Sequence, residues 1–207
     1  MAFASLPQLA GGLFLSDGGL ETSLIYLDGL ELPHFAAFAL LKTASGRAQL
    51  RRYYEPYLDL AAAMPGAGFV LESPTWRASA DWGRLFGYDD DALAAANRDA
   101  VQLVRELRDE WQPRLSGTVV LAGIIGPRGD GYAADAPDSV DAANAYHRPQ
   151  ASALKVGGAD IQLRSPEPLR LQLWRRWGLG FTYPGAARQC IDPQPRRARC
   201  RHRAGHR

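Results

Sequence analysis

Four short apolar runs, each ending abruptly in glycine or polar residues, constrain the fold of this chain most strongly. They lie near residues 13, 68, 118 and 159, and helical patterns separate them. The first, Gly12-Leu13-Phe14-Leu15, stops at Ser16-Asp17-Gly18-Gly19-Leu20-Glu21-Thr22. The second, Phe69-Val70-Leu71, runs into Glu72-Ser73-Pro74-Thr75-Trp76-Arg77-Ala78-Ser79. The third, Thr118 to Ile125, meets Gly126-Pro127-Arg128-Gly129-Asp130-Gly131-Tyr132, and a fourth strand is expected after Gly157-Gly158-Ala159-Asp160. Apolar runs this short read as buried strands that stop at turns. Strands alternating with helices give a parallel sheet or barrel, in which chemistry is built at the carboxyl ends of the strands.

The intervening stretches carry helix signals. Residues 47 to 63 place Leu50, Tyr53, Tyr54, Tyr57, Leu58 and Ala61 on one face, with Ser45 as an N-cap. Pro56 lies inside that pattern and predicts a kink or a helix start. A second helix starts near Asp89, Asp90 and Asp91, where acids suit the positive end of the helix dipole, and Pro113 ends it. Its apolar face is Leu93, Ala96, Ala100, Leu103, Val104 and Leu107. Ser139 caps a third helix that runs to about Val156, with Pro149 making its middle doubtful.

Length limits how much of a barrel is present. Each strand–helix unit takes roughly 40 to 50 residues, so eight would need roughly 300 or more, against a chain of 207. No apolar run approaches the roughly 20 residues of a membrane helix, and two cysteines near the end suggest no disulfide framework. These features, with no signal-peptide pattern at the start, predict a cytoplasmic protein. The glycine-rich loop after the third strand is not a phosphate-binding Walker loop, because no Gly-Lys-Ser/Thr follows.

Asp17-Gly18-Gly19-Leu20-Glu21-Thr22, Glu72 to Ser79, Ile125-Gly126-Pro127-Arg128-Gly129 and Tyr146-His147-Arg148-Pro149-Gln150 together resemble the N-terminal half of the homocysteine S-methyltransferases. The four motifs agree in order and spacing over residues of about 8 to 160. The resemblance implies an α/β fold, the first half of a (β/α)8 TIM-type barrel over residues 1–160. It implies transfer of a methyl group from a donor such as S-methylmethionine, S-adenosylmethionine or betaine to the thiol of homocysteine, giving methionine. In the family a zinc ion held by three cysteines binds the thiol as thiolate. By the same resemblance Asp17 contacts the substrate amino group, and Gly18 and Gly19 let backbone N–H groups approach its carboxylate. Thr75 offers that carboxylate a hydroxyl, and Glu72 contacts substrate or braces the barrel mouth. Trp76 and Arg77 are expected to pack and cap, and His147 to be a helix-surface or packing residue.

After Asp160 the resemblance stops, and no segment matches the family's zinc-cysteine motifs. Residues 161–207 hold 11 Arg, no Lys, Val, Asn or Met, and two acids, giving a basic tail on an acidic first part. That composition reads as GC-rich DNA translated in a shifted frame, giving an unrelated, disordered segment. The zinc ligands are therefore expected to be absent from this chain. Cys190, Cys200, His202 and His206 fit no common zinc spacing. The arginines suit weak phosphate contacts better than a dedicated nucleic-acid site. The chain is expected to be a truncated, inactive relative, with open sheet edges that favour self-association. The alternative is a non-catalytic half-barrel that binds itself or a partner.

Overall fold

The computed structural model describes residues 6–129 and 139–164. Nine regular elements follow the expected rhythm: β1 (Phe14–Ser16), α1 (Leu20–Tyr26), α2 (Ala44–Ala62), β2 (Gly68–Glu72), α3 (Ala80–Leu85), α4 (Asp90–Trp111), β3 (Val119–Ile125), α5 (Val140–Gly157) and β4 (Ile161–Arg164). The four strands form one parallel sheet in the order β1-β2-β3-β4. Phe14 pairs with Gly68, Phe69 with Val119, and Ala122 with Ile161. Sequential parallel order with helices joining each strand to the next is the arrangement of the first half of a (β/α)8 barrel.

Strand alternation places the core. Phe69 and Leu71 of β2 are buried, whereas Val70 and Glu72, on the opposite face, are half-buried. Phe69, Leu71 and Leu121 join Phe38, Leu50, Tyr54, Leu58, Leu103 and Leu107 in one cluster between sheet and helices. All six residues read as the apolar face of α4 are buried. Asp89 caps that helix by accepting from the Ala92 N–H at 2.8 Å, and Ser139 caps α5 by accepting from Ala142 N–H at 3.1 Å.

Four details differ from the sequence reading. The first strand is not a buried run over residues 12–15: β1 starts at Phe14, is half-buried to exposed, and follows a Leu13 that is 56% exposed. The reason is its place at the sheet edge, where only β2 pairs with it. The cap of α2 is Thr43, not Ser45; the Thr43 hydroxyl accepts from Gly46 N–H at 3.0 Å. Gly46 is required there, because a Cβ would lie 2.1 Å from the Leu40 carbonyl oxygen.

Helices α2 and α5 continue through Pro56 and Pro149. Both prolines, and the residues four positions before them (Arg52 and Ala145), are exposed, so water can solvate the carbonyls the prolines cannot bond. Finally, β4 pairs with β3 through Arg164, so the sheet runs past the boundary drawn at residue 160. The rest of the basic tail, including Cys190, Cys200, His202 and His206, lies outside the described residues, as does the loop from Asp130 to Asp138.

Candidate functional site

The carboxyl ends of β1 and β2 open into a cavity of about 790 Å³. Its wall is built from the loop after β1, the start of α1, the loop after β2, and the segment around His34 and Phe35. Gly19 enters α1 with φ 66, a left-handed conformation that a side chain disfavours, and so turns the chain sharply after Asp17. The same turn carries Glu21 onto the cavity wall.

Three carboxyl groups face this space: Asp17, Glu21 and Glu72. Asp17 is 8% exposed. The Tyr53 hydroxyl donates to its Oδ2 at 3.0 Å, and the Glu72 N–H lies 3.5 Å from its Oδ1. Burial pushes the Asp17 carboxyl up to about 6, with those two donors pulling it back. Glu21 is pushed up to about 7, chiefly by burial; its own backbone bond opposes this, the Asp17 charge adds to it, and Arg77 opposes it. Burial also raises Glu72 to about 7, with smaller contributions from the charges of Asp17 and Glu21. Near neutral pH Asp17 is therefore mostly ionised, and the two glutamates share their protons with solvent.

The loop after β2 is held by buried polar bonds. Thr75 Oγ1 donates to the Ile124 carbonyl at 2.7 Å and accepts from Ile124 N–H at 3.1 Å. Ser73 Oγ lies 2.8 Å from Thr75 Oγ1. Gln150 of α5 donates to the Thr75 carbonyl at 2.8 Å, and Asn97 of α4 donates to the Ala78 carbonyl at 2.8 Å. Behind this lattice the Arg77 guanidinium sits between the Trp76 and Trp82 rings, 4.1 and 3.8 Å from their centroids, and donates to the Gly129 carbonyl at 2.8 Å.

Of the residues singled out from the sequence, Asp17, Gly19 and Glu72 come together on the cavity wall. Gly18 is not among the lining residues, and its carbonyl accepts from the Tyr57 hydroxyl at 3.2 Å. Thr75 is placed elsewhere: it is fully buried, and its hydroxyl is committed to β3, so it stitches the second loop to the third strand. Trp76 and Arg77 do pack together, yet both also line the cavity. His147 is buried and meets the Tyr146 ring edge-on, as a packing residue does.

Sequence reasoning missed Glu21, Tyr53 and Trp82. The signal for Glu21 was its spacing of four from Asp17 across a glycine turn, which returns both side chains to one side. Tyr53 read simply as part of an apolar face, and nothing local marks its hydroxyl.

The zinc that the resemblance implies needs three thiolates around it. The described residues contain no cysteine, and among them no group of three or more His, Cys, Asp or Glu side chains is disposed to hold a metal ion. The cavity offers carboxylate oxygens, which suit hard cations better than a thiolate-bound zinc. These residues therefore do not fit the zinc site. Among the described residues no helix is long and apolar enough to cross a membrane.

Comparison with known proteins agrees with the fold. The family described as homocysteine S-methyltransferase matches residues 14–164. Homocysteine S-methyltransferase of Escherichia coli (strain K12) is 36% identical over 83 residues, which are 36% of this chain and 27% of that protein. The crystal structure of the homocysteine methyltransferase MmuM from Escherichia coli in its metallated form superposes with a TM-score of 0.58 at 26% identity, covering 74% of this chain and 53% of that one. Its oxidized form gives 0.55 at 26% identity, covering 72% and 51%. The chain thus spans about half the length of the solved relatives. The match covers β1 through β4 and every loop that builds the cavity, and on that ground the chain belongs to the homocysteine S-methyltransferase family.

Proposed function

We propose that this chain carries the amino-acid-recognition part of a homocysteine S-methyltransferase. The observation that carries the reading is Asp17: a nearly buried carboxylate on a cavity wall, with one oxygen already held by a phenol. An ammonium group entering the cavity meets that charge where water screens it poorly, and a charge-assisted hydrogen bond follows. Glu21 and Glu72 add negative potential on the same wall, which favours a cationic end of the ligand over an anionic one. Gly19 is the glycine that lets backbone approach the ligand, while Thr75 is taken up by the fold.

Activation of the thiol belongs to chemistry that the described residues do not provide. The chain by itself is therefore expected to bind homocysteine and to transfer no methyl group from S-methylmethionine. Self-association would use the β1 edge, beside the exposed Leu13.

The test is equilibrium dialysis of L-homocysteine against the chain and against Asp17→Asn. Loss of the charge should weaken binding about tenfold to a hundredfold. The analogue that lacks the α-amino group should bind neither protein. Equal binding by Asp17→Asn, or of the des-amino analogue by the unaltered chain, would overturn the reading.

A further inference from the structure

Helix α2 sends three phenols to the ends of the first two strands. Tyr53 donates to Asp17 Oδ2 at 3.0 Å, Tyr54 to the Glu72 carbonyl at 2.7 Å, and Tyr57 to the Gly18 carbonyl at 3.2 Å. Two of these bonds go to backbone and brace the strand ends. The third goes to a side chain on the cavity wall. The Tyr53 ring has little freedom: it stacks edge-on to Tyr54 at 5.0 Å and tilted against Tyr57 at 5.3 Å, and Tyr53 is 7% exposed. Its hydroxyl is thus fixed by packing on the helix and not by the carboxylate it meets.

We infer that Tyr53 is a positioning residue for Asp17: a rigidly packed phenol that fixes one carboxylate oxygen, so that the carboxylate holds a single orientation toward the cavity. This rests on the reading that Asp17 receives the ligand's ammonium group. A carboxylate that accepts a hydrogen bond is stabilised in its ionised form, against the burial that favours the protonated one. The other groups that face or flank Asp17 are Glu21 on α1, Glu72 on β2, Arg77 in the loop after β2, Tyr54 and Tyr57 on α2, and His34 on the same cavity wall. Burial is what opposes ionisation of Asp17, and the Asp17 charge in turn raises Glu21 and Glu72. Tyr53 works in the other direction. A purely structural phenol would hold the helix against the strand but leave the titration of Asp17 where it was.

The decisive measurement is the titration of the Asp17 carboxyl carbon by NMR in the ligand-free chain. In Tyr53→Phe the midpoint should move up by about one pH unit, the shift a lost charge-assisted hydrogen bond gives. Placing 3-fluorotyrosine at position 53 makes the phenol a stronger donor with little change in shape, and should move the midpoint down. This second variant answers the question even where Tyr53→Phe does not fold. Tyr57→Phe, which loses only a bond to backbone, should leave the midpoint in place. Homocysteine binding followed against pH should show the same displacement: several-fold weaker at pH 6 in Tyr53→Phe and close to the unaltered chain at pH 8.5. An Asp17 midpoint that responds to neither change at position 53 overturns the inference. Absence of homocysteine binding to the unaltered chain would sink the proposed function instead, and leaves the ligand-free titration a complete test of Tyr53.

Discussion

Replacing Glu21 by Gln should stabilise this protein at alkaline pH and leave it unchanged in acid. In the folded chain the Glu21 carboxyl is pushed up from 4.5 to about 7, mainly by burial. Between those two values the folded state keeps a proton that the unfolded state has released. Stability from this group is therefore complete below about pH 4.5, falls as pH rises, and is fully lost above about pH 7. The displacement corresponds to about 3 kcal/mol at full ionisation. Glu21 is partly exposed and part of its shift comes from Asp17, so solvent and coupling reduce the expected gain to about 1 to 3 kcal/mol. Glutamine keeps the shape and carries no charge, so that gain should appear at pH 8 and vanish at pH 4.5. Urea denaturation followed by tryptophan fluorescence at pH 4.5, 6, 7 and 8 measures it. Asp17 and Glu72 are displaced in the same direction and set the slope of the unaltered chain; the difference between the two proteins isolates Glu21. A variant less stable than the unaltered chain at pH 8 would refute the reasoning, as would a native protein whose stability climbs between pH 5 and 7.5.

Asn97→Ala should destabilise the chain by about 2 to 3 kcal/mol, because it removes the buried donor to the Ala78 and Leu93 carbonyls. A denaturation midpoint equal to that of the native chain would count against that network. Gly126→Ala places a Cβ 2.0 Å from the Trp76 carbonyl oxygen, a backbone atom with nothing flexible to yield. It should cost about 1 to 3 kcal/mol and change the fluorescence of Trp76 as the loop moves; unaltered stability and spectrum would show that the loops tolerate separation.

The strands and helices were legible because each carries its signal locally. β3 is a run of seven apolar or glycine residues, and α4 has its acids, apolar stripe and proline stop in order. The edge position of β1 was not legible, since burial depends on which strands pair and no local pattern states it. The cap of α2 was missed by two residues because Ser45 and Thr43 are chemically equivalent as caps, and only the close approach of Gly46 to Leu40 decides between them. Asp17 and Glu72 could be placed because strand ends gather in parallel sheets. Thr75 could not: its motif position is right, but a hydroxyl near two backbone groups of β3 is satisfied there, and only coordinates show that neighbour. Tyr53 was hidden for the opposite reason, an apolar-looking residue whose one polar atom matters.

The three carboxyls also make the cavity a reservoir of exchangeable hydrogen ions. Burial pushes Asp17 up to about 6 and both glutamates to about 7, so in neutral solution Asp17 is mostly charged and the glutamates only partly. A positively charged guest of the kind proposed would take the place of some of those ions and drive them into the medium. Occupancy by such a guest should therefore acidify a weakly buffered solution, and the heat of association should follow the ionisation enthalpy of whichever buffer receives the released ions. Filling of the pocket should then be readable without a chromophore, a metal or a completed reaction.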